Sequence, residues 1–316
     1  MEKKLLGILQ CPYCGKEFKL SARAKNSSMV SEGKLICGCS EYNVKNGLPI
    51  LLNHEPKHKG EWDDQWSLYS NKIRLWDTDV NEWEENMLKQ SLMIKNTSEL
   101  KGKWILDAGC GPGVISSKLS KYCTGGGLVG VDMSSAVKFA NSHFSSSLRI
   151  ARMNENLHFV QADIQHLPFK NGVFDMVYSA GVLHHIDDTE MAFKSLLRCL
   201  KKRGKISIWV YNEDTSIKVK ILEVHFRKFL TFFPRKFRKQ VLLSLLPLFL
   251  IKQSLFGKGS KQDAKEKLLH IYDALYHKVA KRYFSKEMVD LFKRNGLKHV
   301  VIGREDESGF SVTGIK

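Results

Sequence analysis

Short apolar runs alternate with amphipathic stretches between residues 103 and 211. The runs Lys103–Asp107, Leu128–Val131 and Val173–Tyr178 have the length of buried strands, and the stretches between them space apolar residues at the intervals of a helix. Strands that alternate with helices in this way are typical of βαβ units around a parallel sheet. The pattern therefore predicts an α/β fold for this part of the chain.

The same pattern continues towards the C-terminus after a long intervening segment. A helix predicted from about Asp188 to Leu200 ends at Lys201-Lys-Arg-Gly204, where cations and a glycine suit a helix C-terminus. The strand Lys205–Tyr211 is predicted next. A capped helix at Ser285–Asn295 and two strands, near residues 299–302 and 310–314, complete the pattern.

The charge of the chain is unevenly distributed. Of its 316 residues, 43% are hydrophobic and 26% are charged, as in ordinary globular proteins, but the net charge of +17 is unusual. Between Ser216 and Arg282, sixteen Lys or Arg stand against four Asp or Glu, a surplus of twelve. An acidic partner is therefore expected to meet the protein mainly in this segment.

The chain carries no pattern for export or for spanning a membrane. No apolar run approaches the roughly 20 residues that cross a bilayer, and Met1–Gln10 is too interrupted for a signal peptide. The seven cysteines are an odd number, and four of them cluster near the start of the chain. These features favour reduced thiols and a metal over disulfides, so we expect a cytoplasmic protein.

A glycine-rich turn, Asp107-Ala-Gly-Cys-Gly-Pro-Gly113, follows the first strand of the α/β region. Glycines there let a ligand approach the backbone closely, and the amides that open the next helix favour a carboxylate or phosphate. The dinucleotide motif G-x-G-x-x-G is not met, because its third glycine would fall at Val114. A carboxylate at Asp107 also disfavours a pyrophosphate and suits the ammonium group of an amino acid.

Two further acids follow the next strands. Asp132 ends the second strand, where a carboxylate can accept hydrogen bonds from both ribose hydroxyls. Asp163 follows the third strand and is placed to take the exocyclic amine of adenine, with Ile164 beside the ring. Each acid alone is more often structural than functional, but open α/β sheets bind ligands at these strand ends. Together they predict a site for an adenosyl amino acid.

These motifs resemble those of class I S-adenosylmethionine (SAM)-dependent methyltransferases. The segments that carry the resemblance are Ile105–Gly113, Gly130–Asp132, Gln161–Asp163, Phe174–Tyr178 and Leu200–Tyr211. The resemblance implies a Rossmann-like α/β fold whose seven strands run in the order 3-2-1-4-5-7-6, with the last strand antiparallel. It also implies SAM as the cofactor, bound by the following residues: Asp107, Gly109, Gly111, Asp132, Met133, Asp163, Ile164 and Ser179.

Two cysteine pairs near the start of the chain have the spacing of a metal site. Cys11-Pro-Tyr-Cys14 and Cys37-Gly-Cys39 are separated by 22 residues, which suits a tetrahedral Zn²⁺ site held by Cys11, Cys14, Cys37 and Cys39. Their flanks resemble the zinc ribbon that partners tRNA, rRNA and release-factor methyltransferases. The second pair is Cys-x-Cys rather than Cys-x-x-Cys, so a relict ribbon with free thiols stays an alternative.

The domain prediction follows from these resemblances. We divide the chain into a zinc-ribbon-like domain at residues 1–53, a Trp-rich helical connector at 54–102 and a methyltransferase domain at 103–316. The basic, apolar segment at about 212–282 is an insertion in that domain, in the place where this superfamily often builds a lid over the acceptor. Trp62, Trp66, Tyr69 and Trp76 in the connector are spaced as on one face of helices.

The segment after the fourth strand holds the candidate catalytic residues. Methyl transfer is an in-line displacement that often requires removal of one proton from the acceptor. His184 and His185 titrate in the appropriate range, and Asp187 is placed to orient one of them. His185 is our preferred general base, with His184 and Tyr211 as weaker candidates. The alternative is that these histidines cap the next helix or pack against the cofactor.

The basic segment allows three interpretations, and the identity of the acceptor depends on which of them is correct. It is a helical lid over a small or lipid-like molecule, a surface that contacts anionic membrane through about 217–256, or a contact for the RNA backbone. Bacterial relatives in this family with Val-Leu-His-His after strand four often methylate small molecules, which favours a small-molecule or lipid-like acceptor. The alternatives are an RNA methyltransferase and a protein that binds SAM without catalysis.

Overall fold

The computed structural model describes most of the chain. The described residues are 1–22, 29–67, 82–145, 156–213, 217–238, 240–242, 244, 272, 273, 275–305 and 309–316. Tyr69, Trp76 and most of the apolar run at residues 241–251 lie outside them. Within the described residues, no helix is long and apolar enough to cross a membrane.

Helices and strands alternate through the described chain. The helices are α1 (Lys3–Leu6), α2 (Lys59–Ser67), α3 (Glu82–Leu92), α4 (Val114–Ser120), α5 (Ala136–Ser145), α6 (Thr189–Cys199), α7 (Ile217–Phe232) and α8 (Ser285–Arg294). The strands are β1 (Lys19–Ala22), β2 (Gly33–Ile36), β3 (Glu41–Lys45), β4 (Leu48–Ile50), β5 (Trp104–Ala108), β6 (Gly127–Asp132), β7 (Leu157–Gln161), β8 (Phe174–Ala180), β9 (Leu200–Tyr211), β10 (Lys298–Glu305) and β11 (Gly309–Ile315).

The strands of the described chain form one sheet in the order β1-β2-β3-β4-β7-β6-β5-β8-β9-β11-β10. Strands β7, β6, β5, β8 and β9 are parallel, and β11 runs antiparallel to both β9 and β10. This confirms the predicted α/β fold. The central strands are buried because helices cover both faces, as Ile105, Leu106 and Val129 show with no exposed surface.

The first four strands continue this sheet, which differs from the prediction of a seven-stranded sheet with a separate ribbon. The joint is short: Ile50 pairs with Gln161 in parallel, and the amide of Leu51 donates to the Gln161 carbonyl at 2.8 Å. The alternating burial of β3 covers Tyr42 and Val44 while their neighbours stay exposed. The hydrophobic core of the ribbon thereby merges with that of the main sheet.

The end of α6 also differs from the prediction. Asp188 caps the helix by accepting from the amide of Met191 at 2.8 Å, as the sequence indicates for its start. The helix ends at Cys199, however, and β9 begins at Leu200, which pairs with Phe174. The cationic stretch after the helix therefore belongs to the strand, where Lys201 donates to the carboxylate of Asp175 at 2.8 Å.

Candidate functional site

A cavity of about 400 Å³ opens at the carboxyl ends of β5, β6 and β8. The glycine-rich turn after β5 forms one wall, and α2 forms the opposite wall with Trp62, Gln65 and Trp66. Open α/β sheets bind ligands at this edge. The lining holds all of the predicted cofactor residues except Ser179, together with His185.

Two glycines of the turn have no room for a side chain. The backbone of Gly109 has a φ of +86°, and a Cβ atom there would overlap the side chain of Val182. Gly111 has a φ of +51°, and a Cβ atom would lie 2.9 Å from the Trp66 ring. Both positions therefore require glycine for conformation and for close approach, and they bring bare backbone to the cavity wall.

Asp107 is a buried carboxylate at the end of β5. It accepts a hydrogen bond from Ser116 Oγ at 2.5 Å, and 3% of its surface is exposed. Burial raises the pKa of Asp107 to about 7, the nearby charge of Asp132 adds to this, and the Ser116 hydrogen bond opposes it. A cationic ligand group would hold this carboxylate in its ionised form.

Asp132 is fixed by the backbone around it. Its Oδ2 accepts from the amide of Gly111 at 2.9 Å, and its Oδ1 accepts from the amide of Ser134 at 2.8 Å. Burial raises the pKa of Asp132, and hydrogen bonds from the Ser134 side chain, the Ser134 amide and the Gly111 amide act against that rise. A carboxylate has about four acceptor sites, so one further hydroxyl group can bind without displacing the Ser134 side chain.

The third acid lies at a turn after β7. Asp163 caps the 3₁₀ turn Ile164–His166 by accepting from the amide of Gln165 at 2.9 Å. Ile164 and Met133 also line the cavity, and the Met133 carbonyl accepts from the Gln161 amide side chain at 3.1 Å. The residues predicted to surround an adenosine are therefore brought together around one space.

The structure does not bring Ser179 into that space. Its side chain is fully buried, and its hydroxyl donates to the Ala108 carbonyl at 2.8 Å, which ties β8 to β5. Tyr178, Ala180 and Gly181 line the cavity instead. Because side chains alternate between the faces of a strand, the neighbours of Ser179 point to the cavity and Ser179 points away.

His185 lines the same cavity as the three acids. Its Nδ1 lies 2.7 Å from the carbonyl oxygen of Val279. A carbonyl only accepts, so Nδ1 carries a proton and the lone pair of the neutral ring is on Nε2. Nε2 lies 3.6 Å from Oδ1 of Asp273, a residue that the sequence did not single out.

The two other candidate catalytic residues stand behind His185. His184 is fully buried against the Tyr211 ring, with ring centroids 3.9 Å apart, and burial holds its pKa well below the usual range. The hydroxyl of Tyr211 donates to Oδ2 of Asp273. Neither His184 nor Tyr211 lines the cavity, so neither contacts a ligand there in this conformation.

Asp187 does not orient His185, contrary to the expectation from sequence. Its carboxylate pairs with Lys57 at 2.5 Å and lies 3.4 Å from Nε2 of His58, on the side of the turn that faces the connector. These partners hold the pKa of Asp187 below its usual range. The carboxylate beside His185 is Asp273, which is 88 positions away along the chain and has no local motif to reveal it.

Helix α2 closes the cavity and is tied to both of its neighbours. Trp62 stacks on His277 with ring centroids 3.8 Å apart and meets the edge of His185 at 5.0 Å. Asp63 accepts from the amide of Ser135 at 2.6 Å, which anchors the helix to the start of α5. On its other side, Asp64 accepts from the Tyr276 hydroxyl at 2.6 Å. The Trp-rich connector therefore forms part of the site.

The four N-terminal cysteines form a compact cluster. All four sulfur atoms lie within 4.8 Å of one another, and Cys39 Sγ lies 3.5 Å from both Cys11 and Cys37, too far for a disulfide. Burial opposes ionisation of Cys11, but the amides of Cys14 and Tyr13 outweigh it and lower its pKa to about 6. A thiolate among thiols in this arrangement fits the ligand set of a structural Zn²⁺ ion, despite the Cys-x-Cys pair.

Comparison with known proteins gives a match over the centre of the chain. Residues 106–208 match the family described as "Methyltransferase domain". A malonyl-[acyl-carrier protein] O-methyltransferase from Legionella pneumophila is 32% identical over 115 residues, 35% of this chain and 37% of that protein. A tRNA U34 carboxymethyltransferase from Aliarcobacter butzleri is 31% identical over 150 residues, 45% of this chain and 44% of that protein.

The chain thus spans less than half of the length of these two relatives. Among solved structures, a magnesium protoporphyrin IX methyltransferase from Synechocystis with bound SAH is 15% identical, with a TM-score of 0.45. That match covers 82% of this chain and 96% of the other.

Proposed function

Because residues 106–208 are a SAM-dependent methyltransferase domain, we propose that the protein transfers a methyl group from SAM to a small-molecule or lipid-like acceptor. One observation carries the proposal: a single cavity joins the three acids of the predicted cofactor site to His185. The acceptor is held between them, under α2.

The cofactor residues divide by the part of SAM that they suit. Asp107 binds the ammonium group, Asp132 binds the ribose hydroxyls, and Asp163 with Ile164 binds the adenine. Met133 contributes an apolar contact to the same space. SAM carries the methyl group on a positively charged sulfur. In the transfer, the electron pair of the sulfur–carbon bond stays on the sulfur. The protein then has to align the acceptor, exclude water and remove a proton.

His185 is the proposed general base. Its Nδ1 proton is committed to the Val279 carbonyl, so Nε2, which lies 3.6 Å from Oδ1 of Asp273 and has almost no exposed surface in this conformation, is the ring atom left to take up a proton. Trp62, Val182 and Ile186 also line the cavity and give it apolar walls. An apolar site strengthens the electrostatic interactions within it and lowers the access of water to the reacting atoms.

The size of the cavity favours a small acceptor or the reacting end of a longer one. Its volume of about 400 Å³ is near the lower end of the roughly 300–1,000 Å³ typical of ligand sites, and cofactor and acceptor must share it. The Legionella relative, which acts on an acyl-carrier protein substrate, supports the same class. The tRNA-modifying relative supports RNA as the alternative acceptor.

The surface of α7 and of the residues that follow it supports a lipid-like acceptor. Phe229, Phe232 and Phe237 are exposed, with 85% of Phe232 accessible, and Lys228 and Lys236 lie next to them in sequence. Aromatic side chains among cations suit the interface of an anionic membrane. We propose that the segment at about 217–256 contacts such a surface and that Zn²⁺ stabilises the ribbon.

Transfer of a tritiated methyl group from SAM into a cell extract tests this function. We expect label in the small-molecule or organic-extractable fraction, lost in His185→Ala and in Asp132→Ala. His143→Ala, on α5 and outside the cavity, is the matched histidine control and should retain transfer. Label that is released by ribonuclease would establish the RNA alternative instead. SAM binding without transfer to any fraction would indicate a non-catalytic protein.

A further inference from the structure

A carboxylate near the C-terminal end of the basic insertion lies beside His185 in the cavity. Asp273 lines this cavity, and its Oδ2 accepts a hydrogen bond from the Tyr211 hydroxyl. Its Oδ1 faces two ring nitrogens, Nε2 of His185 at 3.6 Å and Nε2 of His277 at 3.9 Å. Within the described part of the chain, the ion-pair partners of Asp273 are therefore histidines.

A carboxylate in such a place requires a compensating positive charge. Removing an ionised group from water costs several kcal/mol unless it is paired, on the order that buried ion pairs show. Burial lowers the pKa of His277 to about 3 and that of His184 well below its usual range, so both stay neutral near pH 7. His185 is the remaining neighbour, and it supplies that charge only when its Nε2, 3.6 Å from Oδ1 of Asp273, takes up a proton.

The surroundings of His185 contain few other charges. The groups that face its ring are Asp273, His277, His184, Trp62 and Tyr211. The positive charges of Arg282 and Arg227 lower the pKa values of His184 and His277, respectively. Among the described residues, Asp273 is the acidic residue whose carboxylate lies within 4 Å of a ring nitrogen of His185, at 3.6 Å.

We propose that Asp273 and His185 act as one proton-accepting pair, in which the Asp273 carboxylate stabilises the imidazolium that forms on His185. This inference rests on the proposed function. It assigns a positioning role to Asp273, and it makes Tyr211 the residue that holds Oδ2 so that Oδ1 faces His185.

The charges of the reaction balance within this pair. A hydroxyl or N–H group of the acceptor gives its proton to His185 Nε2, and the electron pair released forms the new bond to the methyl carbon. The bond from that carbon to the cofactor sulfur breaks, and its electrons stay on sulfur. One positive charge disappears from sulfur and one appears on His185, so the net charge of the closed cavity does not change.

The pair also limits the class of acceptor. A base with its own counter-charge is useful where the acceptor atom carries a proton that must be lost, as in a hydroxyl or an N–H group. A thioether or a tertiary amine has no such proton and would gain nothing from it. The structure thus favours acceptors that are methylated on oxygen or on a protonated nitrogen.

Titration of the histidine rings by NMR in the full, ¹⁵N-histidine-labelled chain tests the pair without an acceptor. His185→Gln identifies the resonance. Asp273→Asn keeps the shape of the side chain and removes its charge, so the His185 ring should become protonated only at a lower pH than in the wild type, because the opposite charge 3.6 Å from its Nε2 is lost. Asp187→Asn is the matched control, since Asp187 pairs with Lys57 and His58 instead, and it should leave the His185 titration unchanged.

An unchanged His185 titration in Asp273→Asn, or an equal fall in Asp187→Asn, would overturn the pair. If the asparagine variant does not fold, Asp273→Glu provides the second measurement: it keeps the charge, and its His185 titration should stay close to that of the wild type. The ligand atoms of His184, His185 and Asp273 also lie within 4.8 Å of one another. The protein can first be loaded with zinc at the four N-terminal cysteines and then given further Zn²⁺. If the His185 titration then disappeared, these residues would form a metal site and the proton-accepting pair would be refuted.

Failure of the Asp273–His185 pair can be distinguished from failure of the proposed function. A chain that shows the shift in Asp273→Asn but transfers no methyl group keeps the pair and refutes the activity. A chain that transfers the methyl group without the shift keeps the activity and refutes the pair.

Discussion

The ionisation of Asp107 is expected to control how tightly SAM binds as the pH changes. Burial raises the pKa of this carboxyl to about 7, with Asp132 adding to the rise. The proposed partner of Asp107 is the ammonium group of SAM, which attracts the ionised form. At pH values below 7, binding must therefore remove a proton from Asp107 before the ion pair forms.

The size of the effect follows from that pKa. With a pKa of about 7, roughly 10% of Asp107 is ionised at pH 6 and roughly half at pH 7, so the Kd for SAM should be about 5-fold weaker at pH 6 than at pH 7, or about 1 kcal/mol. An α-amino group has a pKa of about 7.7–8.0 and loses its charge at higher pH. Affinity should therefore be greatest between about pH 7 and pH 8.

The same carboxyl makes the stability of the SAM-free protein depend on pH. Its folded pKa of about 7 lies above the unfolded value of about 3.9, so the folded state holds a proton that the unfolded state has released. Its contribution is fully present below about pH 4 and is lost as the pH rises through 7. The total loss is about 4 kcal/mol, from about 3 units at 1.36 kcal/mol each. SAM offsets this loss by pairing with the carboxylate.

Calorimetric titration with SAM between pH 5.5 and 9, in buffers of different ionisation enthalpy, measures both the Kd for SAM and the number of protons released on binding. Close to one proton should be released per SAM bound at pH 6 and almost none at pH 8. Asp107→Asn should give weak binding with no such release. Ser116→Ala should move the inflection to higher pH, because the Ser116 hydrogen bond lowers the pKa of Asp107. Wild-type binding that does not change between pH 6 and pH 8 would refute the reasoning.

Three further predictions concern the turn, the ribbon and the surface of α7. Gly109→Ala should lower stability by about 2–5 kcal/mol and abolish SAM binding, whereas Gly125→Ala, with equally positive φ but open space, should cost only about 1–2 kcal/mol by thermal unfolding. Metal analysis should find one zinc per chain, lost in Cys11→Ser together with several degrees of Tm. Phe232→Ser should reduce sedimentation with phosphatidylglycerol vesicles, and Phe284→Ser, exposed elsewhere, should not; equal binding by both would exclude the membrane contact.

The sequence could predict that the proposed cofactor residues lie at one edge of the sheet, because the information needed is local. Asp107 and Asp132 stand at the ends of strands whose apolar runs are readable, and parallel strands bring such ends to one edge of a sheet. Ser179 was misplaced although the needed signal was present: strict alternation along β8 puts it on the opposite face from Tyr178 and Ala180.

The surroundings of His185 could not be predicted from sequence, because they depend on contacts between distant segments. Asp273 and His277 lie near the end of the basic insertion, and the fold brings Asp273 to His185 and His277 to Trp62. Neither residue belongs to a motif or a regular spacing. The sequence instead pointed to Asp187, which is close to His185 along the chain but is occupied by Lys57. Proximity in sequence was a poor guide where loops bring the partners together.

The short joint between ribbon and main sheet has a consequence for the order of folding. The hairpin contacts among β1 to β4 are local and antiparallel, so the ribbon can form as soon as its own residues leave the ribosome. Ile50 can pair with Gln161 only after Gln161, 111 positions later in the chain, has been synthesised. A preformed ribbon edge offers β7 a template at that moment, and it occupies a strand edge that would otherwise attract other chains. Truncation of the ribbon should therefore appear first as aggregation during synthesis rather than as a loss of chemistry.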